Sequence, residues 1–294
     1  MKILLADPFT PELPARLAAF GELSEDLGEL GDAEVLVVRS RTRVNEALLA
    51  RAPGLRLVLR GGVGIDNIDL RACEARHIQV LNTPKASSIA VAELTMAFML
   101  AVTTRLVEAH NAMREGRFPK KELLRTELYG KTLGLLGVGN VATEVARRAL
   151  AFGMSVLGYD PNLCEHPLVP LARSLDELLS QCDVVSIHLP PTPGTRGFIQ
   201  ARVLARMKDG AILINTARSQ CVVEQDLADA LGTGKLRAYC TDVYSTEPPQ
   251  PDSPILKAPN VYLTPHIGAN TGESLDRIGD VLVAILQDYV SRKE

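Results

Sequence analysis

The chain of 294 residues contains only five cysteines, and none of them is part of a C-x-x-C pair. The cysteines are scattered along the sequence as Cys73, Cys164, Cys182, Cys221 and Cys240. An odd and dispersed set argues against a disulfide framework and against a zinc site. We therefore expect no metal centre, and we expect a reducing, cytoplasmic compartment.

The chain also lacks an excess of positive charge and a long apolar run. The formal net charge is −3 at pH 7, which gives no indication of a nucleic-acid partner. The longest apolar stretch, residues 89–102, is interrupted by Glu93 and is too short to cross a bilayer. The amino terminus, MKILLADPF, starts directly in a strand pattern and lacks the layout of a signal peptide. No membrane partner is expected.

Short apolar strands alternate with helical segments along most of the chain. KILLAD, EVLVVRS, LRLVLRG and IQVLNTP predict four strands, and a second block from KTLGLLG to NVYLTPH predicts six more. Strands separated by helices predict parallel sheets with helices on both faces. The expected class is α/β with two doubly wound parallel-sheet domains, since the chain is long enough for two cores.

Two longer helices stand outside this alternation. Residues 88–115 carry a continuous helical pattern that ends at Gly116, and a helix of that length is long enough to connect two domains. Residues 271–292 carry an amphipathic helical pattern that closes the chain. The sequence thus predicts one connecting helix and one closing helix.

The segment LGLLGVGNVATEVARRALAFGMSVLGYDP carries a dinucleotide-binding pattern. A strand leads into Gly137-x-Gly139-x-x-Ala142, a helix follows, and a second strand ends at Asp160. Gly137 permits the tight turn, Gly139 lets the backbone approach a pyrophosphate, and Ala142 lets the helix pack closely on the strand. A carboxylate at this offset binds the ribose hydroxyls and repels a 2′-phosphate, so the pattern predicts NAD rather than NADP.

Polar side chains gather where the strands of the second block end. His188, Arg218, Asp242 and His266 each follow a strand, and Glu247 comes soon after the fifth strand. Ligands of an open parallel sheet bind beyond the carboxyl ends of its strands. An arginine can bind a substrate carboxylate, a histidine can exchange the hydroxyl proton, and a glutamate can hold the imidazole. Spacing alone leaves open a surface ion pair for Arg218, a turn cap for His266 and a solvated loop charge for Glu247.

Segments that cover nearly the whole chain follow the pattern and the order of one family. These segments are VVRSRTRV, LRGGVGIDNIDL, VLNTPKASSIAVAELT, TELYGKTLGLLGVGN, INTARSQCVV, TDVYSTEPP and TPHIGAN. In them the chain resembles the NAD-dependent D-isomer-specific 2-hydroxyacid dehydrogenases, and within that family the D-3-phosphoglycerate dehydrogenase branch. The resemblance implies hydride transfer between NAD and a D-2-hydroxy acid, with Arg218, Glu247 and His266 as the catalytic triad.

The cofactor contacts combine the turn pattern with the resemblance. The start of the predicted helix presents free N–H groups and a positive dipole end to the phosphates. The resemblance adds an aspartate that holds the nicotinamide carboxamide and a Leu-Pro pair that lines the nicotinamide pocket. The predicted cofactor-binding residues are Gly137, Gly139, Asn140, Val141, Asp160, Leu189, Pro190, Thr216, Ala217, Asp242 and Gly268.

The resemblance also implies a domain plan. A Rossmann cofactor domain, residues 89–268, is expected as an insertion in a flavodoxin-like substrate domain that consists of residues 1–88 and 269–294. The active site is expected between the two domains. A homodimer through the cofactor domain is expected, with residues 88–128 reaching the partner. Because the chain ends at QDYVSRKE, feedback by serine through a carboxyl-terminal regulatory domain is not expected.

The expected substrate pair is 3-phospho-D-glycerate and 3-phosphohydroxypyruvate, which belongs to serine biosynthesis. The resemblance implies that backbone amides of a glycine-rich loop bind the substrate carboxylate and that two arginines and a lysine, the lysine from the partner subunit, bind the phosphate. An alternative is that the arginines only anchor sheet edges or cap a loop. The predicted substrate-binding residues are Arg39, Arg60, Gly62, Val63, Gly64 and Lys120.

Several residues depart from the family's pattern. Ser219 and Gln220 stand where the family usually has two glycines, and Tyr-Cys-Thr at positions 239–241 replaces a small apolar run. If the backbone at position 219 keeps a left-handed conformation, a serine there costs about 1 kcal/mol and displaces Arg218. The proposed triad and Asp160 are all present.

Alternative functions remain open at this point. One is the reduction of glyoxylate, hydroxypyruvate or another 2-keto acid. Another is a dinucleotide-gated interaction protein, as in the transcriptional co-repressors that share this fold and triad. Oxidation of phosphite by the same triad is a third. Steady-state turnover separates the enzymes from the interaction protein.

Overall fold

The computed structural model describes residues 1–292, and their contacts form two compact units. Unit 1 comprises Met1–Ala90 and Ala269–Glu294, and unit 2 comprises Val91–Gly268. The first boundary therefore falls after Ala90, whereas the sequence placed it after residue 88.

The strands and helices alternate as expected for an α/β protein. The strands are β1 (Lys2–Leu5), β2 (Glu22–Ser24), β3 (Val35–Val38), β4 (Leu57–Arg60), β5 (Gln79–Asn82), β6 (Thr132–Leu136), β7 (Ser155–Tyr159), β8 (Val184–Ile187), β9 (Ala211–Asn215), β10 (Leu236–Thr241) and β11 (Val261–Leu263). The helices are α1 (Leu13–Ala18), α2 (Glu46–Leu49), α3 (Leu70–Ala75), α4 (Ser88–Thr104), α5 (Leu106–Arg114), α6 (Asn140–Ala151), α7 (Leu175–Gln181), α8 (Ala201–Leu204), α9 (Glu224–Gly232), α10 (Pro254–Lys257) and α11 (Gly272–Ser291). Short 3-10 turns occupy Leu27–Asp32 and Ser219–Cys221.

Unit 1 contains a parallel sheet in the order β2-β1-β3-β4-β5, the order of flavodoxin-like folds. Successive residues of β3 are fully buried because both faces of the sheet are covered. On one face, Leu36 packs with side chains of α2 and α3. On the other, Val35 packs with α1 and with α11, whose apolar stripe includes Ile278 and Leu282. The expected flavodoxin-like class is confirmed for this unit.

Unit 2 contains a six-stranded parallel sheet in the order β11-β10-β9-β8-β6-β7. Helices α4 and α6 pack on one face, and α7, α8 and α9 pack on the other. The chain leaves β6 to form β7 on one side and then returns to form β8 on the other side of β6. This makes the gap between β6 and β8 the topological switch point, where ligands of such sheets bind.

The prediction of one long helix over residues 88–115 is wrong in one respect, because the structure divides this segment into two helices. Helix α4 ends at Thr104, and α5 begins after Arg105, whose backbone is left-handed with φ of 53°. The hydroxyls of Thr103 and Thr104 bond back to the carbonyls of Met99 and Leu100. Such back-bonding competes with the helical ladder and bends helices. The two helices meet at 63°.

Within residues 1–292, no single helix combines the length and the hydropathy that a membrane crossing requires. Helices α4 and α5 pass that test only when they are counted together across their bend. In the same part of the chain, no group of three or more histidine, cysteine, aspartate or glutamate side chains is arranged to hold a metal ion.

Candidate cofactor and active site

The glycine turn after β6 lies at the switch point of the unit 2 sheet. Gly137 has φ of +83°, and a Cβ there would lie 2.7 Å from the carbonyl oxygen of His188, which follows β8. Gly139 caps the start of α6, and nothing lies within 4 Å of where its Cβ would be. Glycine is thus required at 137 by crowding, whereas at 139 it leaves open space in front of the helix N-terminus. This combination suits the close approach of a pyrophosphate.

The remaining parts of the dinucleotide pattern are also in place. Ala142 is fully buried in the core between α6 and the sheet. At the end of β7, Asp160 accepts hydrogen bonds from the backbone N–H of Val138 at 3.2 Å and of Asn162 at 3.0 Å. These two bonds hold the carboxylate against the glycine turn. An acid held there is placed to select a ribose with free hydroxyls.

His188 lies beside the glycine turn as a half-buried, neutral imidazole. Among the described residues, its Nε2 is a buried atom without a hydrogen-bond partner. Burial lowers the pKa of His188 to about 4. Leu189 and Pro190 follow it at the end of β8, where the sequence predicted the nicotinamide pocket.

The end of β9 holds a tightly bonded turn. Asn215 is fully buried, and its side chain accepts from the N–H of Ala217 and donates to the carbonyl of Arg218, both at 3.0 Å. The Arg218 guanidinium donates to the carbonyl of Ala217 at 2.7 Å. The hydroxyl of Thr216 donates to that of Thr95 at 3.0 Å, because Thr95 already donates to a carbonyl of its own helix. Asn215 is a residue that sequence reasoning missed.

The strain considered for Ser219 does not arise. Ser219 begins a 3-10 turn, and its φ is not positive; within residues 1–292 the non-glycine residues with positive φ are His77, Arg105, Asn260 and His266. The buried hydroxyl of Ser219 donates to the carbonyl oxygen of Tyr244 at 2.7 Å. The serine therefore bonds this turn to the next loop instead of distorting it.

The other unusual residues lie beneath the same turn. Tyr239 and Thr241 are buried on β10, and Thr241 Oγ1 lies 3.0 Å from the carbonyl oxygen of Asn215. Together with Ser219 and Tyr244 they line a cavity of about 10 Å³, which is room for one water molecule. Three of the departures from the family's pattern, Ser219, Tyr239 and Thr241, thus line one cavity.

Glu247 and His266 form a hydrogen-bonded pair. Nδ1 of His266 lies 2.7 Å from Oε2 and 2.8 Å from Oε1 of Glu247. The carboxylate therefore fixes the ring with its proton on Nδ1 and directs Nε2 away from the pair. Both side chains remain more than 40% exposed, which leaves them accessible to a substrate.

Asp242 is almost fully buried and shapes the turn that carries His266. Its Oδ1 accepts from the hydroxyl of Thr264 at 2.7 Å and from the N–H of Ile267 at 2.8 Å. Its Oδ2 accepts from the N–H of Gly268 at 2.8 Å. The protein itself thus supplies three donors to the residue predicted to hold the nicotinamide carboxamide.

In unit 1, Arg39 lies beside the end of β3 and has contacts within its own unit. Its backbone N–H donates to the buried Asp7 carboxylate at 2.6 Å, and its guanidinium donates to the carbonyl of Pro8 at 3.2 Å. The guanidinium carbon lies 5.7 Å from the centre of the Phe9 ring. Burial lowers the pKa of Arg39, with the charge of Asp7 acting in the opposite direction. These contacts support the anchoring alternative and leave a phosphate role as a prediction.

Arg60 ends β4 and folds over the glycine-rich loop that follows. Its Nη1 donates to the carbonyl of Gly61 at 3.1 Å. Gly62 has φ of +144°, and a Cβ there would lie 1.4 Å from that same Nη1. The Asn82 side chain donates to the carbonyl of Val63 in this loop at 2.6 Å. Arg60 and the loop thus form one local structure.

The predicted residues therefore fall into separate groups. Unit 2 brings together the glycine turn and Asp160, and it pairs Glu247 with His266. Unit 1 brings together Arg60 and the loop at residues 62–64. Lys120 lies exposed between α5 and β6.

Comparisons with known proteins assign the chain to a family. Residues 96–268 match the family model described as the D-isomer specific 2-hydroxyacid dehydrogenase, NAD binding domain. This chain belongs to that family. The match covers the glycine turn and Asp160 as well as the His266–Glu247 pair, and it confirms the predicted class of cofactor.

Individual relatives differ in their reactions. A D-3-phosphoglycerate dehydrogenase of Methanocaldococcus jannaschii is 40% identical over 96% of this chain and 56% of its own length. A hydroxypyruvate reductase of Thermotoga maritima is 42% identical over 89% of this chain and 86% of its own. The crystal structure of D-lactate dehydrogenase from Aquifex aeolicus, complexed with NAD and lactic acid, shares 32% identity and a TM-score of 0.88, over 99% of this chain and 96% of the other. The chain spans about half the length of the phosphoglycerate dehydrogenases that it matches.

Proposed function

We propose that the protein interconverts a D-2-hydroxy acid and its 2-keto acid with NAD as the cofactor. The observation that carries the proposal is the His266–Glu247 pair, with Nδ1 2.7 Å from Oε2, in the same unit as the glycine turn and Asp160. A proton-transfer group and a dinucleotide turn in one unit are what a hydride-transfer enzyme requires.

The chemistry follows from these side chains. Bound NAD⁺ supplies the hydride acceptor for oxidation, and NADH supplies the donor for the reverse reaction. In oxidation, Nε2 of His266 takes the hydroxyl proton while the hydrogen on C2 leaves as hydride, so that the alcohol becomes a carbonyl. Glu247 stabilises the imidazolium that forms. Arg218 binds the substrate carboxylate and polarises the carbonyl in the reverse direction.

A panel of 2-keto acids with NADH, followed by the nicotinamide absorbance, tests this proposal. His266→Gln should lower kcat by roughly 10²- to 10⁴-fold, the usual contribution of a general acid or base. His77→Asn, at an exposed position after α3 in unit 1, is the control and should leave kcat unchanged. Tight NADH binding with background turnover across the whole panel would instead favour the dinucleotide-gated interaction protein.

We also propose a phosphorylated substrate, the pair 3-phospho-D-glycerate and 3-phosphohydroxypyruvate. Arg39 and Arg60 in unit 1 and Lys120 supply the positive charge that a phosphate requires, and the loop at 62–64 supplies backbone amides for the carboxylate. The reaction named for the Methanocaldococcus jannaschii relative supports this choice, whereas the name of the Thermotoga maritima relative supports hydroxypyruvate.

The two substrates are separated by their kcat/KM values and by the response to Arg60→Gln. This variant should raise KM for 3-phosphohydroxypyruvate by at least about 10-fold, since it removes a charge-assisted hydrogen bond. Arg56→Gln, at the opposite end of β4, is the control. A wild-type preference for unphosphorylated hydroxypyruvate would contradict the phosphorylated substrate and leave the dehydrogenase proposal standing.

We further propose a homodimer through unit 2. Large apolar side chains between α5 and β6 are exposed to solvent, among them Phe118 at 75%, Leu124 at 85% and Tyr129 at 77%. Several large apolar side chains exposed within one short segment are typical of an interface. Sedimentation equilibrium should give twice the monomer mass of 31.8 kDa, and Leu124→Glu should shift it towards the monomer. A monomeric wild type would contradict the dimer.

A reducing, cytoplasmic location stays a prediction. The five cysteines of the chain are free thiols in the structure, and four of them are buried. Free thiols are expected in reducing compartments. Localisation of the tagged protein in its host would test it.

A further inference from the structure

We infer that Tyr244 positions all three proposed catalytic side chains, by holding the backbone or side chain beside each of them. The inference rests on the dehydrogenase function proposed above. It assigns Tyr244 a role as a positioning residue, because its contacts are to the protein segments around the triad.

The first contact reaches the arginine. The Tyr244 carbonyl accepts a hydrogen bond from the hydroxyl of Ser219 at 2.7 Å, and Ser219 directly follows Arg218. Ser219 is only 8% exposed, so this bond is shielded from water and restrains the turn from which the guanidinium extends.

The second contact reaches the glutamate. The Tyr244 N–H points to Oε1 of Glu247 at 3.4 Å, the longest of these contacts. The same oxygen lies 2.8 Å from Nδ1 of His266. Tyr244 thus adds a donor on the side of the carboxylate that faces the imidazole.

The third contact reaches the histidine. The Tyr244 phenol donates to the carbonyl of Thr264 at 2.8 Å, and this carbonyl also accepts the N–H of His266 at 3.0 Å. His266 has φ of 53°, a left-handed backbone that a non-glycine residue adopts only when its surroundings impose it. The phenol is one of the groups that impose it.

The phenol stays a donor throughout the working pH range. Burial, with the nearby charges of Asp242 and Glu247, raises the pKa of Tyr244 to about 12. A phenylalanine has the same ring and packs in the same way, so it isolates the hydroxyl. If Tyr244 only fills space, Tyr244→Phe should behave as wild type.

Steady-state kinetics distinguish the loss of the phenol bond from the loss of the Ser219 bond. Tyr244→Phe should lower kcat about 10-fold while KM changes less than about twofold, because the bond that it removes restrains the proton-transfer residue. Ser219→Ala should mainly raise KM for the keto acid, by about 5-fold, because it frees the turn of the carboxylate-binding arginine. The control is Tyr262→Phe, another half-buried tyrosine of unit 2. Wild-type constants for Tyr244→Phe would overturn the inference.

A second readout does not depend on turnover. Long-range ¹H–¹⁵N spectra at alkaline pH, where histidine rings are neutral, report which ring nitrogen carries the proton. His266 is one of five histidines, and His266→Gln assigns its signals. We expect the Nδ1–H form in wild type and in Tyr262→Phe, and a measurable share of Nε2–H in Tyr244→Phe. An unchanged spectrum for Tyr244→Phe would overturn the inference. If the wild type reduces no keto acid, the proposed function fails, and these spectra alone decide the role of Tyr244.

Discussion

The Asp242 carboxylate accepts a hydrogen bond from the N–H of Gly268 at 2.8 Å, and a Cβ at position 268 would lie 2.9 Å from the same oxygen. Glycine is therefore the residue that lets the chain come this close to the acid. With the bonds from Thr264 and Ile267, one buried carboxylate determines the path of the backbone on both sides of His266.

Asp242→Asn should destabilise this turn. An amide keeps the shape of the carboxylate but turns one acceptor into an NH₂ group that faces a donor, which costs about 1–3 kcal/mol when buried. We expect the free energy of unfolding in urea to fall by this amount and kcat to fall with it. Asp252→Asn, at an exposed loop position, is the control. Equal unfolding midpoints for the two variants would contradict this role of Asp242.

His188 should make the stability depend on pH. Its pKa is about 4 when folded and 6.5 in the reference state, so below about pH 6.5 the unfolded chain binds the extra proton. Stability from this group is therefore fully present above pH 6.5 and is lost as the pH falls towards 4, up to about 3 kcal/mol. Urea unfolding of wild type and His188→Asn at several pH values measures it. In His188→Asn the free energy of unfolding should fall less steeply between pH 6.5 and 4 than in the wild type. The same pH dependence in both proteins would refute the role of His188.

Asp160 should determine the choice between NADH and NADPH. Asp160→Ser removes the charge that repels a 2′-phosphate, so the ratio of kcat/KM for NADH over NADPH should fall by at least about 10-fold. Glu165→Gln removes an exposed charge from the same loop and should leave the ratio near its wild-type value. A ratio that responds equally to both changes would indicate a general effect of charge rather than a contact with the ribose.

Replacing Ser219 with the glycine that the family usually has should not improve the protein. Ser219→Gly removes the hydroxyl bond to the Tyr244 carbonyl and adds backbone freedom to a turn with right-handed geometry, at a cost of about 1–2 kcal/mol. Ser219→Ala removes only the hydroxyl, so its Tm should lie between those of the wild type and Ser219→Gly. A glycine variant more stable than wild type would show that the serine is strained.

The dinucleotide turn was accessible to sequence reasoning because each of its requirements is local. Gly137, Gly139 and Asp160 follow from the spacing of one strand, one helix and the next strand. The parallel sheets followed in the same way from the alternation of strands and helices. The break at Arg105 did not, because residues 88–115 keep a helical pattern on both sides of it, and the threonine back-bonds that favour the bend leave no gap in that pattern.

Contacts between distant segments were also out of reach. The bond from Ser219 to Tyr244 joins residues 25 positions apart, and that from Tyr244 to Thr264 joins residues 20 apart. No period or motif marks such pairs, since their meeting depends on the order of β9, β10 and β11 in the sheet. Tyr244 stood within the recognised segment TDVYSTEPP, but its neighbours Asp242 and Glu247 were the residues with an evident chemical role.

The effect of a substitution at position 62 depends on the residue at position 60. A methyl group at position 62 and Nη1 of Arg60 compete for the same volume, at 1.4 Å. Gly62→Ala therefore expels the guanidinium from the loop as well as straining the backbone, and Arg60→Ala relieves the first of these penalties but not the second. The cost of Gly62→Ala should therefore be lower, but not absent, in a chain that already carries Arg60→Ala.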